Sequence, residues 1–257
     1  MTRTWRSPPL LWPARFVRLS VVIPAYNEEK LLGRCLAAVA NASRELIRHG
    51  WEHEVIVCDN NSTDRTAESA RADGARVVFE PRNQIARARN TGAREATGDW
   101  LLFLDADCVP SAALFADLAR VLESGCVVGG GARVMLENAP AGGRALTALW
   151  NLISRLTRWA PGGFLFCKAT AFRALDGFDE ELFVSEEIDF SRRLKRLARA
   201  EGRRVVILHR HPVLTSARKL HLYTPAELRA FTWQYLRRPL AVARNRSACP
   251  IWYDGRR

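Results

Sequence analysis

The sequence predicts an α/β fold, a single domain on a mainly parallel, Rossmann-like sheet flanked by helices. Three observations predict it. Short β-branched and aliphatic runs alternate with segments of helical periodicity through more than a hundred residues, the pattern of successive βαβ units. Those runs are apolar throughout rather than alternating, as strands covered on both faces are. The chain, at 257 residues, 48% hydrophobic and 26% charged, has the make-up of an ordinary globular domain, which excludes a disordered or collagen-like polymer.

The elements follow in order. Residues 1–18 read as a basic tail: Arg3, Arg6, Arg15 and Arg18 surround a short apolar patch broken by Pro8, Pro9 and Pro13, without a small-residue cleavage site. Leu19 to Pro24 is the first strand. A helix follows, with Leu31, Leu32, Cys35, Leu36 and Val39 on one face. Glu54 to Cys58 is a second strand, and the cluster from Asp59 to Asp64 is a loop leading into a helix, since Asp, Ser and Thr cap helix starts. Ala75 to Phe79 is a third strand, Ile85 to Ala96 a helix stopped by Gly98, and Trp100 to Leu104 a fourth strand running into Asp105-Ala106-Asp107. Beyond Gly125 the pattern loosens into Val127–Val128, a helix near Leu146–Trp159, a helix from Glu186 to Ala200 striped by Phe190, Leu194 and Leu197, and a strand from Arg203 to Leu208. Thr224-Pro225-Ala226-Glu227 combines a capping box with proline at the first helical position, so residues 221–257 read as a helical extension. Its face of Leu228, Phe231, Tyr235 and Leu236 either packs on the core or rests on anionic lipid.

Charge and cysteine content narrow the setting. There are 39 Lys+Arg against 27 Asp+Glu, a net charge of +12, and nearly all of the basic residues are arginine. Arginine forks suit phosphates, so an anionic substrate, nucleic acid or a membrane surface all fit the charge. Six scattered cysteines without a Cys-x-x-Cys pair speak against a zinc ribbon or a disulfide scaffold and for buried thiols in a reducing cytoplasm. No apolar run approaches the ~20 residues of a spanning helix.

Chemistry concentrates at strand ends. Asn27, Glu28, Asp59, Asn60, Asp64, Asp105 and Asp107 all fall just after a strand, which places them on one edge of the sheet, where ligands of such folds bind. Asp105 and Asp107 offer hard oxygen ligands of the kind that suit Mg²⁺ or Mn²⁺ on a diphosphate. Glu186 and Glu187 open a helix, where backbone N–H groups favour the ionised form that a base requires. His209-Arg210-His211 follows a strand, where His211 is either a further metal ligand or a solvated surface histidine.

In order and spacing, Ser20-Val-Val-Ile-Pro24-Ala-Tyr-Asn27-Glu28-Glu29, Asp59-Asn-Asn-Ser-Thr-Asp64, Ala88-Arg89-Asn90-Thr-Gly92, Phe103-Leu-Asp105-Ala-Asp107, Gly177-Phe178-Asp179-Glu180 and Glu186-Glu187-Ile-Asp189 resemble the family 2 glycosyltransferases. The resemblance covers about 19–220 and implies the GT-A type fold, with 19–124 as the nucleotide-binding half and 125–220 as the acceptor half. It implies that Pro24, Ala25 and Glu28 line the nucleotide, that Asp59 contacts the base, and that Asp105 and Asp107 serve ribose and metal. Arg89 joins the residues that hold the donor, and Arg218 and Lys219 match a basic segment near the diphosphate. The family's Glu-Asp pair becomes Glu186-Glu187 here. That makes Glu187 the candidate base and leaves Glu186 as the alternative.

The expectation is an inverting, Mg²⁺- or Mn²⁺-dependent hexosyltransferase-like enzyme, taking a UDP- or GDP-sugar to an unidentified hydroxyl acceptor. It would be cytoplasmic, in peripheral contact with anionic membrane, and not a nucleic-acid binder. Two alternatives stand beside it. A sugar nucleotidyltransferase would want a basic, Gly-rich loop after the first strand, where Ala25-Tyr-Asn27-Glu28-Glu29 is acidic. A non-catalytic basic module explains the charge but leaves the strand-end carboxylates without a role.

Overall fold

The structure, a computed structural model, describes residues 17–254 and 256; of the expected basic tail, residues 1–16 lie outside the described ones. The first half runs β1 (Arg18–Ala25), α1 (Leu32–Arg48), β2 (Glu52–Asp59), α2 (Thr66–Ala72), β3 (Arg76–Phe79), α3 (Ile85–Arg94), β4 (Trp100–Leu104), the two-residue β5 (Cys108–Val109) and α4 (Ala112–Glu123). Arg18 thus begins β1 rather than ending the tail. The second half continues with β6 (Val127–Glu137), α5 (Ala141–Thr157), β7 (Phe164–Lys168), α6 (Ala169–Ala174), α7 (Glu186–Ala200) and β8 (Arg204–Ser216). The short α8 (Arg218–Leu222), then α9 (Pro225–Arg237), α10 (Pro239–Ala243) and α11 (Pro250–Tyr253), complete it.

The strands form one eight-stranded sheet in the order β3-β2-β1-β4-β7-β6-β8-β5. β1 lies parallel to both β2 and β4, with Ala25 opposite Asp59 and Val22 opposite Phe103. β7 runs against β4 and β6, and β5 runs against β8, so the sheet is mixed, with six strands pointing one way. β8 is far longer than the expected Arg203–Leu208 strand: its register with β6 breaks after Leu208, past His209 and His211, and pairing resumes from Val213 to Ser216. Gly130 permits that pairing: a Cβ there would lie 1.9 Å from the Val206 carbonyl oxygen.

Each face of the sheet buries its own core. On one, α1 and α4 press Leu32, Leu36, Leu46, Phe115 and Leu118 onto Trp100, Phe164 and Phe166. On the other, Phe103 of β4 meets Phe178 edge-on at 4.9 Å and Phe172 at 5.2 Å, while Phe190 of α7 sits 4.8 Å from Phe178. This cluster fixes α7, and with it the helix start that carries Glu186 and Glu187. Five of the six cysteines are buried and Cys126 is exposed.

The C-terminal helices return to this body. The Thr224–Glu227 capping box forms, yet no residue of α9 is buried. After α9 the chain folds back: the Phe183 N–H donates to the Ala243 carbonyl at 2.7 Å, and the Tyr253 hydroxyl accepts from the Ile85 N–H at 3.3 Å.

Candidate active site

The carboxyl ends of β1 and β4, the start of α7 and the end of β8 converge on one cleft of about 340 Å³. Pro24, Ala25, Glu28, Arg89, Asp105, Asp107, Glu186, Glu187 and Arg218 all line it. Parallel strands bring their ends to one edge, so loops distant in sequence meet there.

Arg89 is the hub. It is 3% exposed, and its Nη1 donates to Glu186 at 2.7 Å while its Nη2 donates to Asp105 at 3.0 Å and to the Gly162 carbonyl at 3.2 Å. Phe178 packs against the guanidinium, 5.4 Å from ring centre to Cζ. Burial alone would weaken the cation, but Asp105, Glu186 and Glu187 outweigh it and raise its pKa. Gly162 is small for a reason: a Cβ there would stand 2.9 Å from Arg89 Nη2.

The two glutamates therefore differ. Glu186 is 4% exposed and held by the buried arginine. Glu187 has its acidity shifted from 4.5 to about 8, first by burial and then by the charge of Glu186, with Arg89 opposing. The helix start was expected to favour the ionised form; desolvation and a like charge win instead. Ser185, in the left-handed region at φ 67°, turns the chain immediately before the pair.

The loop after β4 is braced from below. The Asp105 carbonyl accepts from the Cys108 N–H at 3.0 Å, and the Thr215 hydroxyl donates to Asp107 at 3.2 Å. Among the described residues no cluster of three or more His, Cys, Asp or Glu would hold a metal alone. Two carboxylates beside an open cleft still fit Mg²⁺ or Mn²⁺, which commonly take one or two carboxylates and complete their shell from substrate phosphates.

Other expected site residues stand differently. Glu28 and Arg218, assigned separately to nucleotide and diphosphate, hold each other in a bidentate pair at 2.7 and 3.0 Å. His211 is not at the Asp105–Asp107 loop. Its Nδ1 lies 2.8 Å from Asp117 of α4, because β8 continues through it instead of ending before it. Asp59 does not line the cleft; it is buried at the end of β2 and accepts the Ser62 N–H at 3.1 Å, which shapes the loop behind the cleft wall. The side chain of Lys219 lies outside the described ones. Residues not singled out from sequence also line the cleft, among them Phe183, Val184 and Trp252. Trp252 arrives only because α11 folds back against Phe231, 5.4 Å away ring to ring, a long-range contact without a local signal.

Comparison with known proteins gives the family and the fold. The model described as glycosyl transferase family 2 matches residues 20–173, more than half of the chain. "Glycosyltransferase AglE" of Haloferax volcanii is 39% identical over 98 residues, covering 36% of this chain and 31% of that protein. The chain thus spans about a third of that curated relative's length. Among solved structures, Mycobacterium tuberculosis glucosyl-3-phosphoglycerate synthase, in complex with Mn²⁺, UDP and glucosyl-3-phosphoglycerate, superposes with a TM-score of 0.61 at 19% identity, over 94% of this chain and 86% of that one. S. aureus TarS 1–349 in complex with UDP-GlcNAc superposes at 0.59 and 20% identity, over 78% and 58%. These likenesses show the fold, the GT-A type.

Proposed function

The chain belongs to glycosyl transferase family 2, and from that premise we propose that it transfers a sugar, with inversion, from a nucleotide-diphosphate sugar to a hydroxyl acceptor. The observation that carries the proposal is the meeting of Asp105, Asp107 and Glu187 in one cleft, with Arg89 bridging Asp105 to the glutamate pair. The strand-end residues Pro24, Ala25 and Glu28 line the donor side, and Asp59 shapes it from behind. Asp105 and Asp107 would hold Mg²⁺ or Mn²⁺, which when bound neutralises charge on the departing diphosphate. Arg89 and Arg218 support an anionic donor: each keeps a buried Nε–H without a protein partner, a donor that a phosphate oxygen satisfies.

Glu187 accepts the proton of the acceptor hydroxyl as that oxygen attacks the anomeric carbon. Glu186, committed to Arg89, holds that guanidinium in place. The nucleotide is uridine or guanosine in this reading, and the neighbouring structures named with UDP and UDP-GlcNAc favour uridine. Peripheral contact of α9 with anionic membrane, at the cytoplasmic face, remains part of the proposal; among the described residues no helix is long and apolar enough to cross a membrane. The test is a thermal-shift screen of UDP-, GDP-, CDP- and dTDP-sugars with and without Mn²⁺. A donor at 100 times its Kd contributes about 2.7 kcal/mol. No stabilisation by any of them removes the reading, and retention of the anomeric configuration in the product removes inversion.

A further inference from the structure

The outward face of α5 is built the wrong way round for water. A surface helix normally turns its polar side to solvent, yet Leu146, Leu149, Leu152 and Leu156 are 63, 54, 54 and 74% exposed. Two of its polar residues point inward instead: Asn151 pairs through both amide atoms with the backbone of Val134 on β6, and Ser154 donates to the Trp159 carbonyl at 2.6 Å. Met135, 47% exposed, lies on the strand beneath. Contiguous exposed leucines of this kind mark a contact surface.

Charge identifies the partner. No Asp or Glu stands between Glu137 and Asp176, while Arg144, Arg155, Arg158, Lys168 and Arg173 do; none stands between Glu227 and Asp254, while Arg229, Arg237, Arg238, Arg244 and Arg246 do. These two stretches carry ten of the chain's net twelve positive charges. On α5 the exposed arginines Arg144 and Arg155 flank the leucines rather than interrupt them. The second stretch repeats the design, with Trp233, Leu236 and Leu240 at 61, 70 and 69% exposure. Leucine between arginines, on a helix that itself carries no acid, matches the interface of an anionic bilayer, where acyl boundary and headgroup charge lie a few ångströms apart.

We propose that the leucine face of α5 seats the protein on an anionic lipid surface. The first turn of α5 adjoins the cleft: a Cβ on Gly143 would stand 2.5 Å from Leu220, which itself lines the cleft together with Leu136. Seating α5 therefore brings the cleft's Leu136–Leu220 side to the bilayer surface. The inference concerns the surface alone and does not require the glycosyl-transfer reading.

The experiment is co-sedimentation of the full chain with vesicles of phosphatidylcholine alone and of phosphatidylcholine mixed with phosphatidylglycerol. The parent chain pellets with the mixed vesicles only, and less at high salt. Leu149→Glu/Leu152→Glu/Leu156→Glu lowers the bound-to-free ratio more than roughly tenfold, since three leucines that enter the acyl boundary are replaced by charges that the lipid repels. These residues are exposed, so circular dichroism and thermal melting of the variant match the parent. Leu149→Ala/Leu152→Ala/Leu156→Ala, which adds no charge, gives an intermediate loss. Equal sedimentation of parent and triple Glu variant overturns the proposal. So does a parent chain that light scattering shows as a dimer and the Glu variant as a monomer, with vesicles bound by neither. Donor binding, read separately by thermal shift, keeps failure of this surface distinct from failure of the proposed reaction.

Discussion

Replacing Glu187 by Gln tests the proposed chemistry where the structure is most specific. The raised pKa of Glu187, about 8, leaves about a tenth of it ionised at pH 7 and about nine-tenths at pH 9 in the unliganded enzyme. Parent kcat/KM should therefore rise about tenfold per pH unit toward pH 8 and then level off. Glu187→Gln keeps the shape but cannot take a proton, so the profile flattens. At the pH 9 plateau the loss should be ~10²–10⁴, or about 3–5 kcal/mol of barrier at 1.36 kcal/mol per tenfold. Stability runs in the opposite sense. A carboxyl whose pKa is raised in the fold favours folding most below its ordinary value of 4.5, and that contribution disappears as pH rises through about 8. The Gln variant should lack this decline and melt higher than the parent at pH 9, relative to pH 5. The assay is initial rates from pH 5.5 to 9.5 beside thermal melts at the same values. A Gln variant within threefold of the parent at pH 9, or a parent profile already flat at pH 6, refutes the assignment; a dead Glu186→Gln beside an active Glu187→Gln moves the base one residue earlier.

Three further outcomes follow from the same geometry. Asp107→Ala should abolish the Mn²⁺ dependence of nucleotide-sugar stabilisation while the melt without ligand stays within about 0.5 kcal/mol of the parent, as for a loop residue outside the core; normal turnover with Mn²⁺ would exclude it as a ligand. Arg89→Met should leave Glu186 buried beside Glu187 without their cation and cost ~3–5 kcal/mol in urea denaturation. A cost under 1 kcal/mol would show that the bridge is not what holds the carboxylates. Phe190→Ala should cost ~3–5 kcal/mol, because it empties a fully buried site against Phe172 and Phe178, and turnover should fall with it as α7 loosens.

The sequence was most legible where local pattern and tertiary role agree. Leu19–Pro24, Trp100–Leu104 and the helix from Glu186 appear close to where periodicity placed them, since a fully buried strand or a striped helix states its burial in its own residues. β8 was legible only in its first half. Its remainder carries His209, Arg210 and His211 where the register with β6 breaks after Leu208, and pairing resumes only at Val213, so neither hydrophobicity nor a regular pattern marks the strand there. The reversed direction of β7 has no local signature. α4 did have one: Ser111 accepts from the Leu114 N–H at 3.2 Å and caps an apolar run that sequence reading passed over. Of the site, the strand-end acids were legible because loop position alone puts them on the ligand edge. The Glu28–Arg218 pair and the arrival of Trp252 were not, since each joins segments far apart in sequence.

Glu186 and Glu187 show why composition underdetermines a site that geometry then divides. As sequence they are interchangeable: adjacent, identical, in the same first turn, under the same helix dipole. One residue of rotation along a helix is about 100°, enough to turn one carboxylate to a buried guanidinium and leave the other in the cleft under its neighbour's charge. The pair is asymmetric because Arg89 is single and already shared with Asp105. A second cation would neutralise both glutamates and leave neither a useful base at neutral pH, whereas no cation would leave two like charges buried together. With one arginine between three carboxylates, the least-compensated group has its acidity drawn toward the pH at which a proton can be taken and returned. Glu187 holds that position. Gly162 preserves it by keeping side-chain bulk away from the Arg89 Nη2 that reaches Asp105. Substitution of Gly162 by alanine would push the guanidinium from its bridge and so disturb both ends of the site through a residue that carries no chemistry of its own.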